Sequence, residues 1–286
     1  DNAVILLGPA VAGHGDGAAM RAAAAKLAQA TGARLGQLSL GANAAGAWLA
    51  GAVPHRGAGN KRPAAVGRDA GDMLSAGCEA FVTLGVEPEL DSQDGSAASR
   101  AMARAGFVVA LSGYRTSAME DYADVMLPLA QFAETAGTYV NMAGHWQSFT
   151  GAVTPPGEAR PGWKVLRVLG NLLELDGFEY MDCAEVLADV KLVAGTAAVE
   201  AGRWGEADSP QPRGRPPLER FGTVPLYGVD AVTRRARALQ QTQDAAFGGA
   251  GVSSATAAEI GLSVGGKAQV RQNGTSLTVD VAIDDR

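Results

Sequence analysis

Seven small or polar residues are crowded into one segment that follows a short apolar run. The run reads YADVMLP and ends at Pro128, and the seven residues that follow it are Glu134, Thr135, Gly137, Thr138, Asn141, Gly144 and Gln147. A buried strand that ends in such a loop is where α/β proteins bind ligands. The same side chains can instead hydrogen-bond the backbone of a turn. The sequence therefore predicts either the wall of a cofactor cleft or an internally hydrogen-bonded loop.

The other reactive side chains are scattered along the chain. Cys78, Cys183 and the three histidines lack the close spacing of a four-ligand zinc site, and an iron–sulfur cluster needs four thiolates. His14 and His145 fall in predicted loops without a neighbouring carboxylate pattern or nucleophile. We therefore predict that this chain contains no metal ligands and no catalytic residue.

Composition limits the partners of the chain. Its 286 residues carry a formal net charge of −6, which argues against a nucleic-acid partner. No run of about 20 apolar residues is present, so we predict no transmembrane span. The first residue is Asp1 and the last residues have a strand pattern, so we expect a piece of a longer chain.

Short apolar runs alternate with helical segments over residues 1–150. Helices are predicted near Asp16–Ala30 and Gly95–Ala105, and the predicted strands are Ala3–Leu7, Arg34–Leu40, Ala80–Leu84, Phe107–Ser112 and Val125–Leu127. This alternation is typical of a doubly wound, mainly parallel sheet. We therefore predict a Rossmann-like α/β domain. The glycines between the first strand and helix are expected to form a tight turn rather than a dinucleotide site, because no acidic residue lies between Asp16 and Asp69.

The segment Gly41–Gly71 differs from its surroundings because it is rich in Gly, Ala and Pro. Its charge before Asp69 comes from five basic residues, namely His55, Arg56, Lys61, Arg62 and Arg68. We predict a long surface excursion. Its basic cluster either faces solvent or meets an acidic partner surface or a phosphate.

The remainder of the chain divides into three predicted segments. Residues 151–207 form a helical extension, with helices near Gly162–Leu175 and from Asp182 to Ala194. Residues 208–250 are a Pro-rich linker followed by a helix from Asp230 to Ala245. That helix carries three candidate interface residues, which are Arg234, Arg235 and Arg237. Residues 251–286 begin a small, incomplete β-barrel domain, with a hairpin turn at Asn273-Gly274.

Four segments carry a family resemblance. The run from Tyr122 to Gln147 resembles the molybdopterin oxidoreductase pattern ADVVLP followed by E-x-x-G-T-x-x-N-x-E-G-R-x-Q, with Ala143 and His145 in place of the pattern's Glu and Arg. PPGEARPGWKVLRVLGNLL and VPLYGVDAVTRRARALQQT look like the large iron–sulfur subunit, known as the G subunit, of respiratory NADH:quinone oxidoreductase, complex I. Asn43-Ala44-Ala45-Gly46 resembles its G-A-N-S-x-G loop.

The resemblance implies a molybdopterin oxidoreductase-like part of that subunit, followed by helices and the start of a small β-barrel. It implies a non-catalytic scaffold that supports electron transfer from NADH to quinone. In that family the iron–sulfur clusters lie in the N-terminal part, outside this chain, and this part has lost its molybdopterin. The implied partners are other peripheral-arm subunits, and the implied location is cytoplasmic, peripheral to the inner membrane.

Two further functions remain open from the sequence. One is a catalytic molybdopterin-dependent oxidoreductase of the formate dehydrogenase or nitrate reductase kind, which would need an intact cleft loop and a metal-ligating Cys or selenocysteine elsewhere. The other is a small-molecule binding module that uses the crevice at the carboxyl ends of the strands. Under the scaffold hypothesis the seven loop residues form a vestigial cleft.

Overall fold

The computed structural model describes residues 3–39, 41–195, 218, 224–243, 245, 248–263, 265–272 and 275–285. The chain divides into two compact units, Asp1–Thr223 and Val224–Arg286. Across the described ranges, no helix is both long enough and apolar enough to cross a membrane. The division into four segments expected from the sequence remains a prediction.

The first unit alternates strands and helices from its start. In chain order they are β1 (Val4–Leu7), α1 (Pro9–Gly13), α2 (Gly17–Thr31), β2 (Arg34–Gln37), α3 (Ala44–Leu49), α4 (Ala70–Ala76), β3 (Ala80–Leu84), α5 (Pro88–Asp91), α6 (Gly95–Arg104), β4 (Phe107–Ser112), α7 (Ser117–Tyr122), β5 (Val125–Pro128), β6 (Gly137–Val140), β7 (Trp146–Phe149), α8 (Gly162–Leu172) and α9 (Cys183–Ala194). The second unit contains α10 (Ala231–Arg235), α11 (Arg237–Gln240), β8 (Ala250–Val252), α12 (Ser254–Glu259), β9 (Lys267–Gln272) and β10 (Thr275–Ile283).

The five predicted strands of the α/β region are present and pair in parallel. β1 pairs with β2, whereas β3, β4 and β5 form a second sheet in that order. The α/β class with parallel strands is therefore confirmed, and the strands are distributed over two sheets. Asp124 fixes the register of β4 and β5, because it donates its N–H to Val108 O and accepts the Val108 N–H on Oδ2 at 2.7 Å.

The core of the second sheet is built from α6, β4 and α7. Its buried side chains are small or flexible, and they are Ala98, Ala101, Met102, Val108, Ala110, Leu111 and Met119. Small residues on α6 allow a close approach to neighbouring elements. These buried side chains pack the sheet from which the chain continues into the segment that ends at Gln147.

Helix ends follow the capping residues that the sequence contains. At the start of α9, the Asp182 carboxylate accepts the N–H groups of Ala184 and Glu185 at 2.8 and 3.0 Å. Gly195 follows the last helical residue with φ +58°. The predicted limits of this helix agree with the structure because both ends carry such signals.

The single tight turn expected for the glycines after β1 is replaced by a short helix, α1, with Gly8 before it, Gly13 at its end and Gly17 at the start of α2. A Cβ on Gly17 would lie 2.2 Å from Val11 O, so α1 and α2 could not approach each other this closely with another residue there. The turn between them is fixed by His14, whose Nδ1 accepts the Asp16 N–H at 2.9 Å. His14 therefore has a structural partner.

The prediction of a surface excursion for Gly41–Gly71 is wrong for its first third. Residues 44–49 form α3, in which Ala45 and Leu49 are buried. These two side chains form a core cluster with Val140 of β6. Apolar burial against a distant strand therefore overrides the loop-like composition of the segment.

The prediction of a single helix over Asp230–Ala245 is also wrong. Two short helices, α10 and α11, lie there instead. Ala236 breaks the helix with φ −75° and ψ 88°. The Gln240 side-chain amide then donates to Thr233 O at 2.8 Å and to Tyr227 O at 2.9 Å. This side chain satisfies a carbonyl that an unbroken helix would bond through its backbone.

The second unit ends in a three-stranded sheet of order β8-β10-β9. β9 and β10 are antiparallel, and β8 is parallel to β10. The sheet is open over the described residues. The predicted turn residues Asn273 and Gly274 lie outside the described residues.

Candidate functional site

The seven residues singled out from the sequence lie on, or directly before, one β-hairpin. Its strands β6 and β7 pair from Gly137 with Phe149 to Val140 with Trp146. Residues 141–145 make the turn, in which Gly144 has φ +82°, a left-handed conformation that favours glycine. We call this structure the β6–β7 hairpin.

Asn141 closes the turn of the hairpin. Its Oδ1 accepts the backbone N–H groups of Ala143 and His145, both at 3.0 Å. Its carbonyl oxygen accepts the Gly144 N–H at 2.9 Å. Ala143 and His145 are exposed, so the two positions that depart from the superfamily pattern lie at the solvent-facing tip.

Glu134 caps the short 3₁₀ turn Phe132–Glu134 that leads into the hairpin. Its Oε2 accepts the Gln131 N–H at 2.8 Å, and the Gln131 side chain accepts the Glu134 N–H in return. This is a capping box, which satisfies two backbone donors at once. The Glu134 carboxylate is therefore already used by the backbone.

The strand residues of the hairpin bond each other. The Thr138 and Ser148 hydroxyl oxygens are 2.9 Å apart across the two strands. A Cβ on Gly137 would lie 2.8 Å from the ring of Phe149, so glycine is required for this ring position. Thr135 Oγ1 donates to Ala136 O at 3.2 Å, and Gln147 is exposed.

A hydrogen bond from α3 anchors the hairpin. Asn43 occupies the N-cap position of α3, but its side chain makes no bond to that helix. Asn43 Oδ1 instead accepts the N–H of Val140 at 2.8 Å. A Cβ on Gly46 would lie 2.1 Å from this oxygen. The glycine in Asn43-Ala44-Ala45-Gly46 thus leaves room for the bond that joins two motifs of the sequence.

Apolar and aromatic contacts reinforce this anchor. Val140 is 1% exposed and packs with Ala45 and Leu49, with Trp146 against them. The Lys191 ammonium of α9 lies 5.6 Å from the centre of the Trp146 ring, within the range of a cation–π interaction. The hairpin is therefore fixed by α3 on one side and contacts α9 through Trp146.

A cleft of about 610 Å³ adjoins the hairpin. Four of the seven predicted residues line it, namely Glu134, Thr135, Gly137 and Thr138. Asn141, Gly144 and Gln147 do not. Other lining residues belong to α8, to α9 and to the segment before α9, and the sequence analysis did not assign them to a site. They include Trp163, Lys164, Met181, Cys183 and Leu187. Their sequence pattern predicts helices, and it does not indicate that these helices line a cleft.

Cys183 is the cleft residue with a perturbed pKa. Burial raises the pKa of its thiol, the Asp182 carboxylate raises it further, and Lys164 opposes them. Its Sγ lies 3.6 Å from Ala136 O. The first position of a helix usually lowers a thiol pKa, whereas burial and the Asp182 carboxylate shift this one upwards.

We expect Cys183 to react slowly with iodoacetamide in the folded protein. A raised pKa leaves less thiolate at a given pH, so its rate should be several-fold lower at pH 8 than in urea, and its pH profile should be displaced upwards. Mass spectrometry of the Cys183 peptide gives the rate, and the same peptide in urea is the control. A faster rate in the folded protein would contradict the assignment.

The hairpin residues can be compared with what a pterin would require. A pterin needs free hydrogen-bonding groups, whereas the oxygens of Glu134 and Asn141 accept backbone N–H groups and Thr138 is bonded to Ser148. Binding through these atoms would break bonds that hold the hairpin. The hydrogen bonds of these atoms therefore favour an internally bonded hairpin over a cofactor-cleft wall. Within the described part of the chain, no cluster of three His, Cys, Asp or Glu side chains is placed to hold a metal ion.

One buried carboxylate was not anticipated from the sequence. Glu87 is 1% exposed and follows β3, and its N–H donates to Asp91 Oδ2 at 2.7 Å. Nearby, the Tyr122 hydroxyl donates to Glu89 Oε2, and burial together with Glu89 raises the pKa of Tyr122. These residues lie outside the cleft and link α5 to α7.

The candidate interface arginines lie in the second unit. Arg234 Nη1 donates to Gly228 O at 2.9 Å and Arg235 Nη1 to Ala231 O at 3.0 Å. Arg237 is exposed. The first two therefore also support their own segment.

Comparison with known proteins gives a consistent result. The molybdopterin oxidoreductase family model matches residues 1–172. The G subunit of the NADH-quinone oxidoreductase of Streptomyces coelicolor is 32% identical over 93% of this chain and 34% of its own length. The protein of the same name from Mycobacterium bovis is 36% identical over 46% of this chain and 19% of its own length.

The chain spans about a third of the length of the Streptomyces relative. Its match to the mycobacterial relative covers 19% of that protein's length. Among solved structures, acetylene hydratase from Pelobacter acetylenicus aligns over 72% of this chain and 35% of its own, at 16% identity and a TM-score of 0.47.

Proposed function

This chain belongs to the molybdopterin oxidoreductase family, and we propose that it is a non-catalytic scaffold within the G subunit of an NADH:quinone oxidoreductase. It supports electron transfer from NADH to quinone by iron–sulfur clusters that lie in other parts of the subunit. Its relatives are named as G subunits of NADH-quinone oxidoreductase, which supports membership of that complex. The hydrogen bonding of the β6–β7 hairpin supports the scaffold role.

That hydrogen bonding is the observation on which the proposal rests. The side chains that would form a cofactor-cleft wall accept backbone N–H groups or pair with each other. Ala143 and His145 replace the Glu and Arg of the superfamily pattern at an exposed turn. In this proposal the cleft holds no molybdopterin, and the hairpin serves to join β6 and β7 to α3.

Turnover per assembled complex separates a scaffold from a catalyst. The variant Lys164→Met with Cys183→Ser changes two cleft-lining side chains without touching the hairpin bonds. We expect it to leave NADH:quinone turnover per assembled complex unchanged. Loss of turnover in a normally assembled complex would contradict the scaffold role.

The alternative is a catalytic molybdopterin-dependent oxidoreductase, which the family membership itself favours. A Synechocystis nitrate reductase also matches, at 28% identity over 36% of this chain. This alternative requires a pterin and molybdenum or tungsten bound in the full-length protein.

The proposed partners are other subunits of the peripheral arm, and the proposed location is cytoplasmic, peripheral to the inner membrane. Arg234, Arg235 and Arg237 are the proposed contacts in the second unit. Guanidinium groups pair well with carboxylates at interfaces. Arg237 is the most direct probe, since the other two also bond their own segment.

We expect replacement of all three arginines by Glu to weaken assembly about tenfold, because attraction to carboxylates becomes repulsion. Arg237→Glu alone should reproduce part of the loss with an unchanged circular dichroism spectrum. Co-purification of the complex with tagged full-length subunit measures the effect. Unchanged assembly of the triple variant would remove this role.

A further inference from the structure

Residues 53–68, which we call the basic loop, form an unusual surface in an acidic chain. The loop contains Arg56, Lys61, Arg62 and Arg68 together with His55, while no Asp or Glu occurs between Gly41 and Arg68. The chain as a whole has a formal net charge of −6. Positive charge is therefore concentrated in one place.

The basic loop is tied into a defined conformation. Val53 bridges to Arg56 and Gly57 bridges to Lys61, both in antiparallel fashion. The loop closes on itself through the Gly67 N–H, which donates to Pro54 O at 2.9 Å. These bonds fix the backbone positions from which the basic side chains extend.

The basic loop is also seated on the rest of the first unit. The His55 ring packs edge-on against Trp48 of α3, with ring centres 4.9 Å apart. At Gly59, which has φ +68°, a Cβ would lie 2.6 Å from Val193 O near the end of α9. The loop thus rests on the two helices that contact the β6–β7 hairpin.

Among the residues that the structure describes, the cations of the loop have no carboxylate partner. Lys61 and Arg62 are exposed. Arg56 Nη1 donates to His55 O and Arg68 Nη1 to Gly77 O, so both bond backbone carbonyls. Within the described ranges, none of the four takes part in an ion pair. Positive charges that lie close in sequence and have no ion-pair partner among the described residues attract an anionic surface.

We propose that the basic loop docks onto an acidic protein surface of a neighbouring subunit. Three of its four charges are arginines, whose planar guanidinium groups match carboxylates in pairs. Its fixed backbone reduces the entropy lost on binding. Polybasic lipid recognition typically uses segments beside a membrane span or on an amphipathic helix, and the basic loop is neither.

This inference rests on the proposed membership of a multi-subunit complex. The basic loop contains a residue that can test the contact chemically. Lys61 is the one lysine between Gly41 and Gly71. A carbodiimide joins an amine to a carboxylate in direct contact. In the assembled complex that contains the full-length subunit, we expect a crosslink from Lys61 to an Asp or Glu of another subunit. Lys61→Arg keeps the charge and should abolish the crosslink.

Charge reversal measures the strength of the contact. The assay measures binding of the full-length subunit to a complex from which that subunit is missing. We expect the double variant Lys61→Glu with Arg62→Glu to bind at least tenfold more weakly at about 50 mM salt. The loss should become smaller at higher salt, because salt screens the charges. Lys26→Glu with Arg100→Glu is the control, because it changes the net charge equally at two exposed positions elsewhere. The control should bind as the unmodified protein does.

The outcomes distinguish the docking proposal from the proposed function. If the unmodified subunit joins the complex and the Lys61/Arg62 variant binds equally well, the docking surface is wrong and the function stands. If the unmodified subunit does not join the complex, the proposed function itself fails. A third outcome is that the full-length subunit binds phosphatidylglycerol vesicles through the basic loop and Lys61 forms no crosslink to another subunit. That outcome would overturn the proposal of an acidic protein partner in favour of a membrane.

Discussion

Replacing Leu49 with alanine is expected to lower the free energy of unfolding of the first unit by about 2–5 kcal/mol. Leu49 is 3% exposed and packs with Ala45 and Val140 in the cluster that attaches α3 to the hairpin. Removing its side chain loses apolar burial and leaves a cavity. Urea denaturation followed by tryptophan fluorescence should report the change, since Trp48 and Trp146 lie at this junction.

The matched control is Leu192→Ala, the same chemical change at a residue that is 80% exposed. It should alter the unfolding free energy by less than about 0.5 kcal/mol. Equal effects of the two substitutions would show that the α3 cluster does not anchor the hairpin. In the assembled complex, Leu49→Ala should reduce the amount of complex without changing turnover per complex, as expected for damage to a scaffold.

The second large effect is expected for Asn43→Ala, at about 1–3 kcal/mol of unfolding free energy. The substitution removes the oxygen that accepts the Val140 N–H at 2.8 Å and leaves that donor buried without a partner. Amide hydrogen exchange at Val140 should accelerate, because the bond that protects it is lost. Native-state exchange by NMR measures both quantities at once.

Two further variants test the same bond from different directions. Asn43→Asp retains an acceptor at this position and should lose less stability than Asn43→Ala. Gly46→Ala should approach the loss of Asn43→Ala, since its Cβ would lie 2.1 Å from Asn43 Oδ1 and displace it. If Gly46→Ala were neutral and exchange at Val140 unaffected, the bond would have no part in fixing the hairpin.

Local signals in the sequence account for the elements that were predicted well. α9 follows Asp182 and stops at Gly195, and α6 follows Asp94, whose carboxylate accepts the Ala97 N–H at 2.8 Å. The strands of the α/β region are short apolar runs between such helices. In each case the information lies within a few residues, so reading the sequence is sufficient.

Long-range contacts account for what the sequence did not reveal. Asn43 and Val140 are 97 residues apart, and no local pattern indicates that they bond. The burial of α3 likewise depends on Val140, a residue far from it in sequence. Sequence periodicity reports which face of an element is apolar but not which surface covers it.

In the candidate site, too, local sequence signals were sufficient for some features and long-range contacts decided the others. The sequence identified the polar residues of the hairpin, and it left open whether they face a ligand or bond the backbone. The structure shows the bonds of Glu134, Thr138 and Asn141, whereas their effect on cofactor binding remains a proposal. The cleft wall from α8 and α9 was not anticipated, because Lys164 and Cys183 come together with the hairpin only in the folded chain.

Metal and pterin analysis of the purified full-length subunit tests the central claim most directly. Elemental mass spectrometry measures molybdenum, tungsten and iron, and fluorescence after oxidation measures the pterin. The scaffold account predicts iron in cluster stoichiometry with neither molybdenum, tungsten nor pterin. Stoichiometric molybdenum or tungsten together with pterin would contradict it and would make the β6–β7 hairpin part of a working active site.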